Sequence, residues 1–173
     1  MKIGFCGTMS VGKTTLVNEL AKLPEFKDYK SRTERSKHLM DMGIPLNTDS
    51  TLKGQFVFAA ERASELLCDK IITDRTVVDV MAFSALSKSM NANESYFLNA
   101  ALSNLIDDYD HLFYVSPVGV NMEDNGVRET DTTYRDNINK KILEILDLNN
   151  VKYTTIQGNT EERIKLVKSV VFS

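Results

Sequence analysis

The chain has 173 residues, of which 42% are hydrophobic and 26% are charged. This length and composition predict one folded domain and exclude a disordered chain. The formal net charge of −3 disfavours a broadly basic nucleic-acid-binding surface, although a local basic pocket is compatible with it. Two cysteines are too few for a disulfide framework or a zinc site, and no apolar run is long enough to span a bilayer. We therefore expect a cytoplasmic protein.

Short apolar runs alternate with longer segments of helical periodicity, which is typical of a βαβ fold. The predicted strands are Lys2–Gly7, Tyr29–Thr33, Lys70–Asp74, His111–Ser116 and Val151–Ile156. The predicted helices are one that ends before Pro24, then Ser36–Met42, a long helix after residue 50, Val77–Ser87, Glu94–Tyr109, one from Thr132 or Thr133, and Glu161–Phe172. Together they predict a three-layer α/β/α sandwich with a five-stranded parallel sheet and, at about residues 117–135, a lid.

Two of these helices have sequence signals that fix their starts. Asp49 or Ser50 is expected to cap the long helix, and Asn93 is expected to cap the helix at Glu94. Helical spacing predicts that the apolar residues of the long helix form its inner face. These residues are Phe56, Ala59, Ala60, Ala63, Leu66 and Leu67.

Residues 7–14 read Gly-Thr-Met-Ser-Val-Gly-Lys-Thr, which matches the phosphate-loop pattern. Gly7 lets the chain leave the first strand sharply, and Gly12 lets the backbone approach a phosphate. The N–H groups of the loop and the N-terminus of the next helix favour an anion, to which Lys13 adds a full positive charge. The hydroxyl of Thr14 can ligate Mg²⁺. The predicted cofactors are ATP and Mg²⁺, and the predicted cofactor-binding residues are Gly7, Ser10, Val11, Gly12, Lys13, Thr14 and Thr15.

A second candidate segment follows the strand at Lys70–Asp74. An acid at the carboxyl end of a buried strand can hold Mg²⁺ beside a phosphate loop, which makes Asp74 a candidate metal ligand. Arg75 would leave the strand next to the transferred phosphate, and its planar guanidinium suits phosphate recognition. A helix-capping Asp beside a surface Arg would explain the same residues without any catalytic role.

With the phosphate loop, the run Thr73-Asp74-Arg75-Thr76-Val77-Val78-Asp79-Val80-Met81-Ala82-Phe83 resembles the phosphate-loop nucleoside and nucleotide kinases. Thymidylate kinases and deoxynucleoside kinases have an acid-Arg pair at this place, followed by a helix. Within this group the sequence is most similar to the compact branch related to the nicotinamide riboside kinase domain, common in bacteria and phages. The resemblance implies that Asp74 serves the metal and that Arg75 lies between phosphate donor and acceptor.

The same resemblance extends to two later segments. Gly126–Glu129 and Tyr134-Arg135 are similar to an arginine-bearing lid, which implies that Arg128 and Arg135 close over the transferring phosphoryl group. Residues 156–163 are similar to the final strand and loop, which passes near the adenine and makes Asn159 a candidate cofactor-binding residue. Alternatively, Arg128 and Arg135 are solvated surface residues with no role in catalysis.

The acceptor side is less defined. The resemblance makes Glu34 a candidate general base if the acceptor is a hydroxyl. If the acceptor is a phosphate, Arg32 or Arg35 would bind it instead, and an ion-paired helix start would also explain this cluster. Gln55 and Arg62 share one face of the long helix, and Gln55 resembles the base-reading Gln of deoxynucleoside kinases. The candidate aromatic residues for stacking on a base are Phe56, Phe58, Phe83 and Tyr96, of which Phe83 is the one we assign to the substrate site.

The sequence favours an ATP-dependent kinase that phosphorylates a nucleoside or a (deoxy)nucleoside monophosphate. One alternative is a kinase acting on a hydroxyl of a modified base in DNA, which the net charge disfavours. Another is a GTP-binding switch or other non-kinase NTPase, although Asn139-Lys140-Lys141 lacks the Asp that specifies guanine. The sequence does not distinguish ATP from GTP as the phosphate donor. A homodimer is compatible with it.

Overall fold

A computed structural model describes residues 1–33, 35–120 and 132–173. Five parallel strands form one sheet in the order β2-β3-β1-β4-β5. The strands are β1 Lys2–Cys6, β2 Lys30–Arg32, β3 Ile71–Thr73, β4 His111–Val115 and β5 Thr154–Ile156. All five strands were predicted from the sequence, and β2 is an exposed edge strand.

Seven α-helices lie in the part of the chain that the structure describes. They are α1 Lys13–Ala21, α2 Ser36–Asp41, α3 Leu52–Leu66, α4 Val77–Ala85, α5 Ala92–Ser103, α6 Thr132–Leu148 and α7 Thr160–Val171. Short 3-10 turns occur at Pro24–Phe26, Asn47–Asp49 and Ile106–Asp108. Within the described ranges, no helix is both long and apolar enough to cross a bilayer.

Separate hydrophobic clusters cover the two faces of the sheet. Side chains alternate along β1, so that Ile3 and Phe5 pack with α1 and α7 while Cys6 packs with α4, α5 and α6. Gly4 lies on the same face of the sheet as Cys6, where an added Cβ would come within 2.7 Å of the Tyr109 ring. Helices therefore lie on both sides of a parallel sheet, which confirms the predicted three-layer α/β/α fold.

Helix α3 corrects the prediction of its inner face. Phe56 is 44% exposed, Leu67 is 86% exposed and Ala60 is also exposed, so the apolar residues do not all face the core. The buried positions include polar residues instead, namely Gln55, Arg62 and Glu65, together with Gly54, Ala59 and Leu66. The prediction was correct for Ala59 and Leu66 and wrong for Phe56, Ala60 and Leu67. The buried face of α3 also includes Gln55 and Arg62, which line a pocket.

The predicted caps of α3 and α5 are wrong by one or two residues. The side chain of Thr51, and not of Asp49 or Ser50, accepts the N–H of Gly54 at 3.3 Å. At α5 the cap is Asn91 and not Asn93, because Asn91 and Glu94 form a reciprocal capping box. Helix α5 also ends at Ser103, before the 3-10 turn that the predicted helix to Tyr109 had included.

Candidate active site

The loop between β1 and α1 has a backbone that its glycines make possible. Gly7 has φ +151° and lies against β4, where an added Cβ would come within 2.7 Å of the Val115 carbonyl oxygen. Gly12 has φ +83° and precedes the first residue of α1. Ser10 also has a positive φ, of 57°. The loop thus curves tightly in front of a helix N-terminus, as an anion-binding loop requires.

Lys13 places its positive charge inside this loop. Its side chain is buried, and Nζ donates to the carbonyl oxygens of Gly7 at 2.6 Å and Thr8 at 2.7 Å. Thr8 in turn donates from Oγ1 to the backbone oxygen of Arg135 at 3.0 Å. The loop therefore contacts the first turn of α6 and holds an ammonium group at its centre.

Thr14 and Asp74 meet because β3 lies beside β1. Asp74 directly follows β3, and Thr14 lies in the first turn of α1, where its hydroxyl donates to the Asp74 carboxylate. Asp74 is 1% exposed. A hydroxyl and a carboxylate in contact are hard oxygen ligands of the kind that Mg²⁺ prefers. Among the described residues no group of three or more His, Cys, Asp or Glu can hold a metal, so a Mg²⁺ ion here would take further ligands from phosphate and water.

Asp79 connects the phosphate loop to Arg75. Its buried carboxylate accepts the N–H of Gly7 at 3.2 Å and the N–H of Thr76 at 2.8 Å, and it lies 3.8 Å from Nη1 of Arg75. The guanidinium of Arg75 lies 4.9 Å from the centre of the Phe83 ring. No role for Asp79 was predicted from the sequence. The sequence signal for its position was Thr76-x-x-Asp79, which forms a capping box at the start of α4.

A half-open pocket lies next to these groups. Its wall brings together three of the predicted substrate-binding residues, Gln55, Arg62 and Phe83, with Arg75. The lining residues are Ser36, Leu46, Asn47, Gln55, Phe58, Arg62, Arg75, Asp79, Val80 and Phe83. Of the other aromatic candidates, Phe58 lines the pocket, whereas Phe56 and Tyr96 are exposed outside it.

Arg62 is a buried cation in this wall. It is 2% exposed, and Nη2 donates to Oε1 of Glu65 at 2.7 Å. Burial opposes the charged form, but the neighbouring Glu65 carboxylate outweighs it and raises the pKa of the Arg62 guanidinium. The sequence analysis did not identify Glu65; its spacing of three residues from Arg62 on the buried face was the available signal.

The remaining acceptor candidates lie outside the pocket wall. Arg32 on β2 is exposed and lies 3.7 Å from Glu65, and Arg35 is exposed and lies 3.3 Å from Glu61. Neither is among the residues that line the pocket. Glu34, the candidate base, falls outside the described residues, as does Arg128 of the lid.

Arg135 is positioned at the base of the candidate lid. Its buried guanidinium donates from both Nη1 and Nη2 to the Val120 carbonyl oxygen at 3.1 Å. Together with the bond from Thr8, this contact fixes the start of α6 to residue 120 and to the phosphate loop. Arg135 is thus next to the phosphate loop but is engaged with backbone.

At the other side of the loop, Asn159 caps α7. Its side chain accepts the N–H of Glu162 at 3.0 Å, and Thr15 on α1 is exposed. The residue that contacts the phosphate loop here is Arg163, which sequence reasoning missed. Nη1 of Arg163 donates to the Val11 carbonyl at 2.6 Å and Nε donates to the Gly158 carbonyl at 2.8 Å. Burial lowers the pKa of this guanidinium.

The comparison with protein families matches residues 2–163, a span that contains the phosphate loop, the Asp74–Arg75 turn and the pocket. The matching family model is described as AAA domain. The chain belongs to this AAA domain family. The description names no substrate. No curated protein matches the chain.

Solved structures with the same fold include a kinase and two other proteins with bound nucleosides or nucleotides. One is a deoxyadenosine kinase from M. mycoides with the products dCMP and dCDP, at 16% identity and TM-score 0.70, covering 99% of this chain and 98% of that one. NadR in complex with NR has 16% identity and TM-score 0.74, covering 99% of this chain and 51% of that one. YorR from Bacillus subtilis has 16% identity and TM-score 0.58, covering 99% and 96%.

These identities are low, and the likeness shows the fold. The AAA domain described here has a P-loop fold of the nucleoside-kinase type, which confirms the resemblance expected from the sequence. At these identities, the likeness assigns no role to individual residues of the site.

Proposed function

We propose that this chain is an ATP-dependent kinase that transfers the γ-phosphate to a nucleoside or a (deoxy)nucleoside monophosphate. The observation that supports this most is Asp79, which accepts a hydrogen bond from the phosphate-loop residue Gly7 and also lines the pocket. One buried carboxylate thereby joins a candidate donor site to a candidate acceptor site. A nucleotide switch has no need of a second small-molecule pocket at this place.

The donor half of the proposed reaction depends on charge neutralisation. Lys13, the loop N–H groups and the N-terminus of α1 would bind the phosphates of ATP. Thr14 and Asp74 would hold Mg²⁺, which when bound neutralises charge on the phosphate oxygens. Because the transferring group spreads negative charge over its oxygens, fixed cations at this position lower the barrier.

The acceptor half places Arg75 between the two sites. Its guanidinium is held over Phe83 and near Asp79, so it can interact with the transferring phosphoryl group without moving far. If the acceptor group is a hydroxyl, Glu34 keeps its sequence-based assignment as the base that receives the proton. Arg128 keeps its assignment to the lid on the same basis.

The charge balance of the pocket favours a nucleoside over a monophosphate. Each of the two arginines in the wall lies within 4 Å of a carboxylate, Arg62 of Glu65 and Arg75 of Asp79. A dianionic phosphate on the acceptor would require additional cations, and the two arginines predicted to bind it, Arg32 and Arg35, are outside the wall and paired with acids. A neutral ribose or deoxyribose hydroxyl fits this balance better.

The test is a screen of phosphate acceptors with radiolabelled ATP or GTP. The panel contains the common ribo- and deoxyribonucleosides, their monophosphates, and oligonucleotides with hydroxylated bases. The proposal predicts label transfer to a nucleoside, with weaker or no transfer to its monophosphate. Transfer only to oligonucleotides would instead favour the DNA-base reading. Hydrolysis that no acceptor alters would contradict a kinase altogether.

A further inference from the structure

Glu65 is a buried acid that the proposed reaction does not use. It lies on α3 with 3% of its surface exposed, behind the pocket wall. Oε1 accepts from Nη2 of Arg62 at 2.7 Å, and Oε2 accepts from the hydroxyl of Thr73 at 3.1 Å. Burying a carboxylate is costly unless partners of this kind satisfy it. Its position therefore calls for a role that an apolar residue could not serve.

Arg62, the main partner of Glu65, does not use all of its hydrogen-bond donors. Among the described residues its buried Nε has no hydrogen-bond partner. Arg62 lines the pocket, and a guanidinium donates hydrogen bonds but accepts none. Nε itself is covered, and a bound molecule that presents a carbonyl oxygen or a ring nitrogen to this wall can accept a hydrogen bond from the part of Arg62 that lines the pocket.

Glu65 also reaches the turn that contains the proposed catalytic groups. The single hydroxyl proton of Thr73 is shared between two acceptors, Oε2 of Glu65 at 3.1 Å and the carbonyl oxygen of Arg75 at 2.5 Å, and the hydroxyl oxygen accepts the N–H of Arg75 at 3.4 Å. Glu65 thus connects the pocket wall at Arg62 with the backbone of the Asp74–Arg75 turn. This network is buried, so its hydrogen bonds are well shielded from water.

We propose that Glu65 is a positioning residue that fixes Arg62 as a hydrogen-bond donor to the base of the acceptor. The inference rests on the proposed function, and it deepens it by stating what the base must present. An acceptor nucleoside needs a carbonyl oxygen or ring nitrogen directed at α3. Glu65 holds the guanidinium in one place, so little side-chain entropy is lost when the nucleoside binds.

The test compares Glu65→Gln with wild type, using the nucleoside that the acceptor screen identifies. Because a charge-assisted bond to Arg62 is weakened, the KM for the nucleoside rises about tenfold while the KM for ATP stays within about twofold. Calorimetry of nucleoside binding without ATP shows the same loss of affinity. Glu144→Gln is the matched control, since it removes an exposed ion pair of the same spacing, with Lys141.

A double-mutant cycle shows whether Glu65 acts through Arg62. In an Arg62→Gln background, Glu65→Gln causes no further rise in the KM for the nucleoside. Glu65→Asp, which keeps the charge but shortens the reach, gives an intermediate KM and serves if Glu65→Gln does not fold. Melting curves identify the temperature at which all variants are folded, and the kinetics are measured there.

The outcomes separate this inference from the proposed function. If wild type phosphorylates neither a nucleoside nor a nucleoside monophosphate, the proposed function fails and this inference fails with it. If wild type is active and both variants of Glu65 keep the wild-type KM for the nucleoside, only the positioning role is overturned. Equal increases in the KM values for nucleoside and ATP would also overturn it, since they indicate a general structural effect.

Discussion

Lys13 combines two roles at the scale of a single residue. Its ammonium group is already placed in the phosphate loop by the carbonyl oxygens of Gly7 and Thr8. When a phosphate occupies the loop, the ammonium group can turn from these carbonyls to the phosphate oxygens. The residue therefore stabilises the loop without nucleotide, and in the proposed reaction it would neutralise charge on the phosphates.

Lys13→Ala should reduce phosphoryl transfer about 100-fold or more, because the charge that balances the transferring phosphate is lost. The measurement is turnover with ATP and the best acceptor of the screen. Lys22→Ala is the control, since Lys22 follows the same helix but is exposed and paired with Glu19. Near-normal turnover of the Lys13 variant would mean that the chemistry lies elsewhere.

Asp74→Asn tests the proposed metal site. The substitution keeps the shape of the side chain but removes the negative charge, so the Mg²⁺ concentration for half-maximal rate should rise about tenfold or more. A magnesium titration at saturating ATP measures this value. Asp69→Asn, at an acid on the exposed turn before β3, should leave the titration unchanged. An unaltered magnesium dependence of the Asp74 variant would remove Asp74 from the metal site.

Single residues were predictable where one short segment defines their role. The phosphate loop requires Gly7, Gly12 and Lys13 at fixed spacing, so a local pattern was enough to find them. Glu65 and Arg163 depend on partners that are distant in sequence or on a buried helix face. Nothing local distinguishes a buried Glu–Arg pair from a solvated one, and for that reason sequence reasoning missed both residues.

At the scale of elements, α3 shows why apolar periodicity can identify only part of the buried face of a helix. A helix that packs on a core buries its apolar stripe, but α3 also walls a pocket and buries Gln55, Arg62 and Glu65 there. Phe56 and Leu67 remain exposed as a result. Polar residues at helical spacing can therefore indicate a helix face that forms the wall of a binding site.

The cap of α5 offers a direct test of an element boundary. Asn91→Ala removes the capping box with Glu94 and should lower the free energy of unfolding by about 1 kcal/mol. For a chain of this length, that corresponds to a melting temperature about 2–4 °C lower. Asn93→Ala is the matched control, because Asn93 lies inside the first turn and should have little effect. Equal shifts for the two variants would contradict the assigned helix start.

At the scale of the whole molecule, the alternation of strands and helices was enough to predict the architecture. The order of the strands was not predicted, because it depends on packing between segments distant in sequence. β1 lies between β3 and β4, and this position brings the phosphate loop, Asp74 and the end of β4 together. Ligand sites at the carboxyl ends of parallel strands follow from such an order.

Binding of Mg²⁺ and ATP should stabilise the whole molecule. A ligand at 100 times its Kd adds about 2.7 kcal/mol, which for this length raises the melting temperature by about 5–10 °C. Thermal melts with ATP, with and without magnesium, measure the shift. The Lys13→Ala variant should show little of it. An equal shift in that variant would mean that ATP binds at another place.

The contact between Arg163 and the Val11 carbonyl joins residues 152 positions apart. During synthesis, the phosphate loop is made long before its brace on α7. Strands β3 and β4, which flank β1, also appear only after much of the chain has been made. A growing chain therefore braces the phosphate loop only once α7 has been made, and chains that stop before α7 should bind ATP weakly.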